Sequence, residues 1–530
     1  MKKTILAVLL FTSASFTLSA QVKMSEGSRK LATAMAIIEN MYIDDVNDHK
    51  LAEDAIKSIL GELDPHSTYI SADEVKDMNE PLEGNFDGIG ISFNMMTDTL
   101  FVIEAIPGGP SEKIGLRAGD KIMYVNDTLI AGVKRSTKDV MSRLKGPKGT
   151  KVTVKVLRKG EPDLLSFTIT RDKIPVYSID ASYMIDNITG YIRIMRFGAT
   201  TTNEFKQALT KLKGQGMKNL ILDLESNGGG YMAPAIDLSD AFLGKGKLIV
   251  YTEGSKQPRR DEYSSGKGGF EEGRLVILIN EGSASASEIL SGAVQDWDRG
   301  VIVGRRSFGK GLVQRQIPLP DNSMMRLTVA RYYTPTGRSI QKPYTNGDIS
   351  SYNMDVIERY NKGEMMHADS IHFPDSLKYQ TLVNHRTVYG GGGIMPDYFV
   401  PLDTMKYTSY FSKIANRGII YKVAYGEVDN NRKEILSKYP TKENFYENFK
   451  VTKQILDKLL AAAEEEKIEF DEEQFDRSKP SIENQVKALI GRDLYDAETL
   501  IKILNDESDT FKKGYEIISN EKLYYDLLAK

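Results

Sequence analysis

From about Gly27 to Asp77, apolar residues return every three or four positions: Leu31, Met35, Ile38 and Met41, then Leu51, Ala55, Ile56 and Leu60. That period predicts amphipathic helices, which the turn Leu63-Asp-Pro-His-Ser-Thr-Tyr69 interrupts. Between Gly84 and Asp172 the pattern changes to short runs such as Leu100-Phe-Val-Ile103, Lys151-Val-Thr-Val-Lys-Val156 and Leu165-Ser-Phe-Thr-Ile169, separated by glycine and proline. These predict a small, partly open β-domain carrying one or two helices. From Ile179 to Pro401, strands alternate with helices. Leu220-Ile-Leu-Asp-Leu224 and Leu275-Val-Ile-Leu-Ile279 are nearly continuous apolar runs, as expected of strands buried on both faces. Helical patterns follow each, at Ala233 to Phe242 and Ser287 to Trp297, and together they predict an α/β core. Beyond it, Lys/Glu-rich helical stretches, broken at Pro440 and Pro480, predict a C-terminal helical appendage. The expected class is multidomain α/β. Its divisions are a leader over 1–20, a helical region over 21–83, the β-domain over 84–173, the α/β core over 174–401 and the helical region over 402–530.

Composition removes several function classes. A chain of 530 residues is too long for one compact core. An apolar fraction of 41% with 27% charged residues is ordinary for a soluble globular protein. A net charge of −3 argues against nucleic acid or an anionic membrane as the main partner. Lys2 and Lys3, an apolar stretch from Ile5 to Leu18, and Ser19-Ala20 read as a secretory signal. The mature chain is therefore expected to be exported, to the periplasm or cell envelope, with no transmembrane segment. With no cysteine there is no disulfide, thiol nucleophile or Cys-type zinc site. The five histidines form no His-Glu-x-x-His pattern, and no metal or cofactor is implied.

Candidate chemistry gathers in Glu281-Gly-Ser-Ala-Ser-Ala-Ser-Glu-Ile-Leu290 and Ser307-Phe-Gly-Lys-Gly-Leu-Val-Gln314. The first places serines at a strand-to-helix turn. Ser285-Ala-Ser-Glu288 fits a capping box, so Ser285 reads equally as an N-cap or as an exposed nucleophile. The amide of Ala286 is a candidate oxyanion donor. Gly304 to Gly311 is close to a phosphate-binding loop, but Gly311 stands where the magnesium-binding Ser/Thr belongs. No histidine lies between His66 and His367, so Lys310 is the simplest general base for Ser285. A base of that kind needs its pKa lowered by burial or by a nearby positive charge. On a strand, Gln314 would share a face with residue 310 and orient its amine. Asp223-Leu-Glu-Ser-Asn-Gly-Gly-Gly230 is either a tight turn or the source of a second oxyanion amide. Gly88-Ile89-Gly90, just before a strand, could cradle a peptide carboxylate with bare amides. Downstream, Ser111 to Ile122 resembles the helix–turn–strand signature of PDZ domains.

Taken in order, these motifs resemble the carboxyl-terminal processing peptidases, or tail-specific proteases. Arg143-Leu-Lys-Gly-Pro-Lys-Gly-Thr150, Ala330 to Ile340 and Gly393-Ile-Met-Pro-Asp397 extend the match over Leu63 to Pro401. The resemblance implies a core like that of the crotonase and Clp peptidase group. It also implies a serine–lysine dyad of Ser285 and Lys310, Gln314 holding the lysine, and oxyanion amides from Ala286 and Gly229. The PDZ residues Gly88, Ile89 and Gly90 would bind protein substrates by their free C-termini, with an adaptor or a homo-oligomer as further partners. Two departures stand out: Glu225 where the family has arginine, and Asn227-Gly228 where it commonly has Asn-Pro. The competing readings are a catalytically silent PDZ scaffold or chaperone of the envelope, and a hydrolase using His367, His372 or His385 as base.

Overall fold

The computed structural model describes residues 24–529 apart from Thr97 and Pro107, so the expected leader over 1–20 lies outside the described residues. The chain divides into two compact units, one ending at Leu60 and the other beginning at Gly61. The first contributes the helix Glu26–Met41 and most of Asp48–Gly61. The helical period expected there is present, with Ser25 capping the first helix by accepting from the Ser28 amide at 3.2 Å. Among the described residues, no helix is long and apolar enough to cross a membrane.

In the second unit, the strand Thr68–Ile70 is followed by the helix Ala72–Glu83 and a β-domain. The domain's main sheet runs Ile91–Met96, Thr99–Ala105, Lys121–Val125, Lys151–Leu157 and Leu165–Thr170, each neighbour antiparallel. Period-two alternation makes these strands: Val152, Val154 and Val156 are buried while Lys151 and Leu157 face out. The helix Thr137–Leu144 packs Val140 and Leu144 onto the same core.

A six-stranded sheet follows, in the order Ile179–Met184, Thr189–Ile194, Asn219–Asp223, Leu275–Ile279, Val301–Gly304 and Tyr398–Phe399. All pairs but the first are parallel. Every residue of the two central strands is buried, because helices cover both faces. One face is covered by Thr201–Gly214, Met232–Phe242 and Ala286–Asp296. The other is covered by the end of the chain: Ile501, Ile517, Ile518, Tyr524 and Leu528 pack on Ile221, Val276, Leu278 and Val303. The last helices thus complete the core, which the word appendage does not convey. Before them, the helix Ile419–Lys438 reaches the β-domain, with the Tyr425 ring edge-on to Phe101 at 6.2 Å.

A second, antiparallel sheet is centred on the strand Met324–Tyr333, which pairs with Thr68–Ile70, Leu248–Gly254 and Leu312–Pro318. It faces the N-terminal end of the helix Ala286–Asp296, and the chemistry-bearing residues meet there.

Candidate active site

Parallel strands deliver chain to one edge of a sheet, and here two successive strand ends build one wall of a cavity. After Asp223 the chain turns through Ser226, at φ 59°, into Gly229 and Gly230, at φ 96° and 148°. Nothing larger fits. A Cβ on Gly230 would lie 2.1 Å from the Phe197 carbonyl oxygen, and one on Gly229 would lie 2.9 Å from the Ser285 Cβ. Asn227, fully buried, holds the turn: its Nδ2 donates to the Ile194 carbonyl at 2.8 Å and its Oδ1 accepts the Gly229 amide at 2.9 Å. The expectation that Gly229 supplies a free oxyanion amide meets a difference here, because that N–H already has an acceptor. The amides of Ala286, Gly228 and Gly230 carry no such bond among the described residues, and all three residues line the cavity.

The strand ending at Ile279 leads to the three serines, and burial separates their roles. Ser283 is fully buried and donates to the Leu224 carbonyl at 2.8 Å. Ser287, equally buried, donates to the Asn227 carbonyl at 2.9 Å. These two tie the serine turn to the glycine turn. Ser285 alone of the three lines the cavity. It sits at the N-cap of the helix with φ 56° and ψ −111°, a conformation costing about 1–3 kcal/mol for a non-glycine residue. The amide of Ala286, first in the helix, opens beside it, where the helix dipole favours negative charge.

Lys310 enters from the opposite wall, in the loop before Leu312–Pro318. Glu288 fastens the two walls together. Its Oε2 accepts the Ser285 amide at 2.8 Å and the Lys310 amide at 2.9 Å; its Oε1 accepts the Gly309 amide at 2.7 Å and the Ser307 hydroxyl at 2.5 Å. Burial pushes its carboxyl up to about 7, against the pull of those four donors. The Tyr332 hydroxyl adds a second tie, lying 2.7 Å from the Lys310 carbonyl and 3.1 Å from that of Ser285. Ser285, Ala286, Lys310, Gln314, Arg326, Tyr332 and the three glycines enclose about 530 Å³, with Leu82, Met232, Ile289 and Leu312 as apolar walls.

The amine of Lys310 is held below the ordinary lysine range, first by burial and then by the charge of Arg326, with Glu288 and Asp64 opposing. Gln314 lines the same cavity, but its amide donates to Thr328 Oγ1 at 3.3 Å. The strand starts at Leu312, after the lysine, so simple alternation from residue 310 does not apply; the extra residue at the register shift lies in the partner strand, between Thr328 and Ala330.

Behind the lysine stands the turn at Leu63 to Tyr69, which the sequence marked as a helix break and as the start of the family resemblance. Asp64 accepts from the His66 amide, the Ser67 amide and hydroxyl, and the Thr328 hydroxyl, at 2.5–2.9 Å. His66 Nε2 lies 2.9 Å from the Tyr352 hydroxyl, and burial together with Lys310 drives its pKa down to about 4. The three candidate histidines, His367, His372 and His385, do not line the cavity. Glu225, the departure at the oxyanion turn, has its carboxyl raised by burial and by Asp223, while Arg305 opposes the rise. Less negative charge sits behind the turn than the sequence suggests.

The second cleft belongs to the β-domain, between the strand Ile91–Met96 and the helix Thr137–Leu144. It encloses about 1240 Å³ and is lined by Gly88, Ile89, Gly90, Ile91, Phe93, Met141 and Leu144. Gly90 has φ 74°, and the Ile89 carbonyl is held by the Ser111 hydroxyl at 2.6 Å. Lys145 lines this cleft and pairs with Glu80 at 2.5 Å, whereas Arg143 pairs with Asp139 on its own helix at 3.2 Å.

Sequence reasoning missed Arg326 and Tyr332 and read Glu288 only as a cap. A signal was available for one of them only: Arg326 alternates with Thr328 along one strand, whereas a bulge between Thr328 and Ala330 separates both from Tyr332.

Comparison with known proteins agrees with this architecture. A model of peptidase family S41 matches residues 188–351, and a PDZ domain model matches 88–169. The N-terminal domain of the activating protease CtpB matches 12–74, and a family of unknown function matches 410–496. The carboxy-terminal-processing protease of Bartonella bacilliformis is 39% identical over 309 residues, covering 57% of this chain and 70% of the relative. The carboxy-terminal processing protease CtpA of Bacillus subtilis is 33% identical over 373 residues, covering 68% and 78%. Among solved structures, a photosystem II D1 C-terminal processing protease is 29% identical, covers 60% of this chain and 90% of its own, and gives a TM-score of 0.35. With its PDZ domain, its S41 core and relatives of this identity and coverage, the chain belongs to the carboxyl-terminal processing peptidase family and is a serine-type peptidase.

Proposed function

We propose that Ser285 is the nucleophile and Lys310 the general base of an exported endopeptidase that cleaves proteins near their free C-termini. The observation that carries this reading is that a strained, cavity-facing Ser285 and a half-buried lysine share one enclosure, their backbones tied by Glu288 and Tyr332. Neutral Lys310 takes the Ser285 hydroxyl proton as Oγ attacks the scissile carbonyl carbon. The oxyanion is met by the Ala286 amide and by an amide of the turn Gly228–Gly230, with Gly228 or Gly230 better disposed than Gly229 for the reason given above. Collapse breaks the C–N bond, and the lysine ammonium returns its proton to the leaving amine. Water, deprotonated by Lys310, then attacks the ester, and the second collapse frees a new C-terminal carboxylate and restores the Ser285 hydroxyl.

Gly88, Ile89 and Gly90 are assigned to the terminal carboxylate, with the tail added as a strand along Ile91–Met96 and its side chains against Met141 and Leu144. Gln314 is assigned to the lysine wall, acting through Thr328 and Asp64. The divisions at 1–20, 21–83, 84–173, 174–401 and 402–530 are retained as working boundaries, the first as an export signal to the periplasm or envelope. An adaptor or a second copy of the chain remains a partner for experiment. The silent-scaffold alternative is not favoured, since both side chains of the dyad are present and face one cavity.

The test is cleavage of an unstructured polypeptide ending in a free apolar tail, beside the same polypeptide with an amidated C-terminus. Wild type should cleave the first, Ser285→Ala and Lys310→Ala should not, and amidation should raise KM. Undiminished cleavage by Lys310→Ala would discard the lysine base, and indifference to amidation would discard carboxylate recognition.

A further inference from the structure

Among the described residues, the charged and titratable side chains around the proposed base have hydrogen-bond or ionic partners to account for them, with one exception. The carboxylates facing Lys310 are Glu288, from the helix Ala286–Asp296, and Asp64, from the turn before Thr68. Each spends its oxygens on four N–H or O–H donors, and neither pairs with a guanidinium or an ammonium. His66 bonds Tyr352, and Lys342 pairs with Asp355 at 2.9 Å. Arg326 is different. It lines the Ser285 cavity, is only partly exposed, and among the described residues its guanidinium meets the Met78 sulfur and no carboxylate. A thioether is a weak acceptor that neutralises no charge.

The strand Met324–Tyr333 fixes where this charge points. Arg326 stands opposite Thr68 on one side and Gln316 on the other. Alternation puts it on the face that also carries Thr328, bonded to Asp64 and Gln314; Tyr332, beyond a one-residue bulge between Thr328 and Ala330, lines the same cavity and bonds the carbonyls of Ser285 and Lys310. That face is the wall of the base.

We propose that Arg326 is a positioning residue of the reaction: an unpaired guanidinium sharing the cavity with Lys310, it acts through that lysine and keeps its amine in the uncharged, proton-accepting form. Two cations in one poorly solvated space repel, and one must give up its proton. Arginine does not, because its guanidinium stays protonated at any working pH. The lysine therefore yields. Burial lowers the Lys310 pKa most, Arg326 adds to the lowering, and Glu288 and Asp64 oppose it. His66, down at about 4, brings no competing charge in the working range.

The inference rests on Lys310 being the base, and the experiment separates the two. The pH dependence of kcat/KM is measured on the full chain with the free-tailed polypeptide, for wild type, Arg326→Gln, Arg326→Met, Arg326→Lys, Asp64→Asn and Lys310→Ala. Activity in wild type rises with pH as Lys310 loses its proton. Without the guanidinium the lysine holds that proton more tightly, so Arg326→Gln and Arg326→Met should move the acid limb upward by about one pH unit, roughly a tenfold loss on its acid side. The alkaline plateau and KM should stay within about threefold of wild type. Arg326→Lys should restore the limb, and Asp64→Asn should move it the other way. A limb that stays in place in both neutral variants, whatever happens to the plateau, overturns the proposal. Activity surviving in Lys310→Ala would instead overturn the base assignment beneath it. If Arg326→Gln does not fold, as judged by its melting transition, Arg326→Met and Asp64→Asn still decide the question.

Discussion

The two clefts of this protein are built on opposite rules. The Ser285 cavity, at about 530 Å³, is walled by residues that leave almost no latitude: a serine at φ 56°, glycines whose Cβ atoms would collide with backbone, and a buried carboxylate holding four donors. The β-domain cleft is more than twice as large, lined by flexible methionine and leucine side chains and spanned by the Lys145–Glu80 ion pair. Chemistry requires charge development at one fixed point, so its geometry is set in advance by strain and hydrogen bonds. Recognition of diverse tails requires an apolar surface that adapts, with specificity from a few backbone amides. Damage to the first cleft should therefore appear in kcat, and damage to the second in KM.

The largest break is predicted at Ser285. Ser285→Ala should lower kcat/KM by about 10⁶-fold. Its neighbours provide the control: Ser283→Ala loses two buried hydrogen bonds, to the Leu224 carbonyl and from the Asn280 amide, and Ser287→Ala loses one, so they should cost about 2 and about 1 kcal/mol of stability while retaining measurable turnover. Melting curves beside steady-state kinetics check both halves.

Next is Glu288→Gln, which places an amide N–H against two donors. Leaving buried donors opposed costs about 1–3 kcal/mol, so kcat should fall by roughly 10–100-fold with the tail's KM little changed. A rise in KM alone would mean that Glu288 supports binding and not the walls of the base.

In the β-domain cleft, Gly90→Ala forces a side chain onto a residue at φ 74°, with its Cβ 2.9 Å from the Ile174 Cδ1. A distorted carboxylate loop should raise KM about tenfold while kcat holds; an equal fall in kcat would show that the clefts are not separable. Smallest is Lys145→Ala. A partly exposed ion pair is worth about 0–1 kcal/mol, so tail affinity measured by titration should change by less than about fivefold.

Much of this design was legible before any coordinates. Period-two alternation gave the β-domain strands, continuous apolar runs gave the central parallel strands, and the serine and lysine segments were singled out by chemistry. What escaped shares a cause. Glu288, Arg326 and Tyr332 matter through contacts that only the meeting of the helix Ala286–Asp296 with the strand Met324–Tyr333 creates, and no local period records such a meeting. Gln314 was placed by alternation from residue 310, but the strand begins only at Leu312. The choice of Ser285 among three serines came from the family resemblance; its physical reason, the burial of Ser283 and Ser287 against Leu224 and Asn227, has no local pattern in the sequence. The covering of the sheet by Ile517, Tyr524 and Leu528 was hidden because those helices read as polar on composition.

The central claim is that Lys310 activates Ser285, and its most direct measurement is the formation of the covalent intermediate. Full-length protein and Lys310→Ala would be mixed with the free-tailed polypeptide, quenched at short times in acid, and mapped by peptide mass. The account predicts an acyl adduct on Ser285 in the wild type and none in Lys310→Ala over the same interval. An adduct on another residue, or one that forms on Ser285 as fast without the lysine, would contradict it.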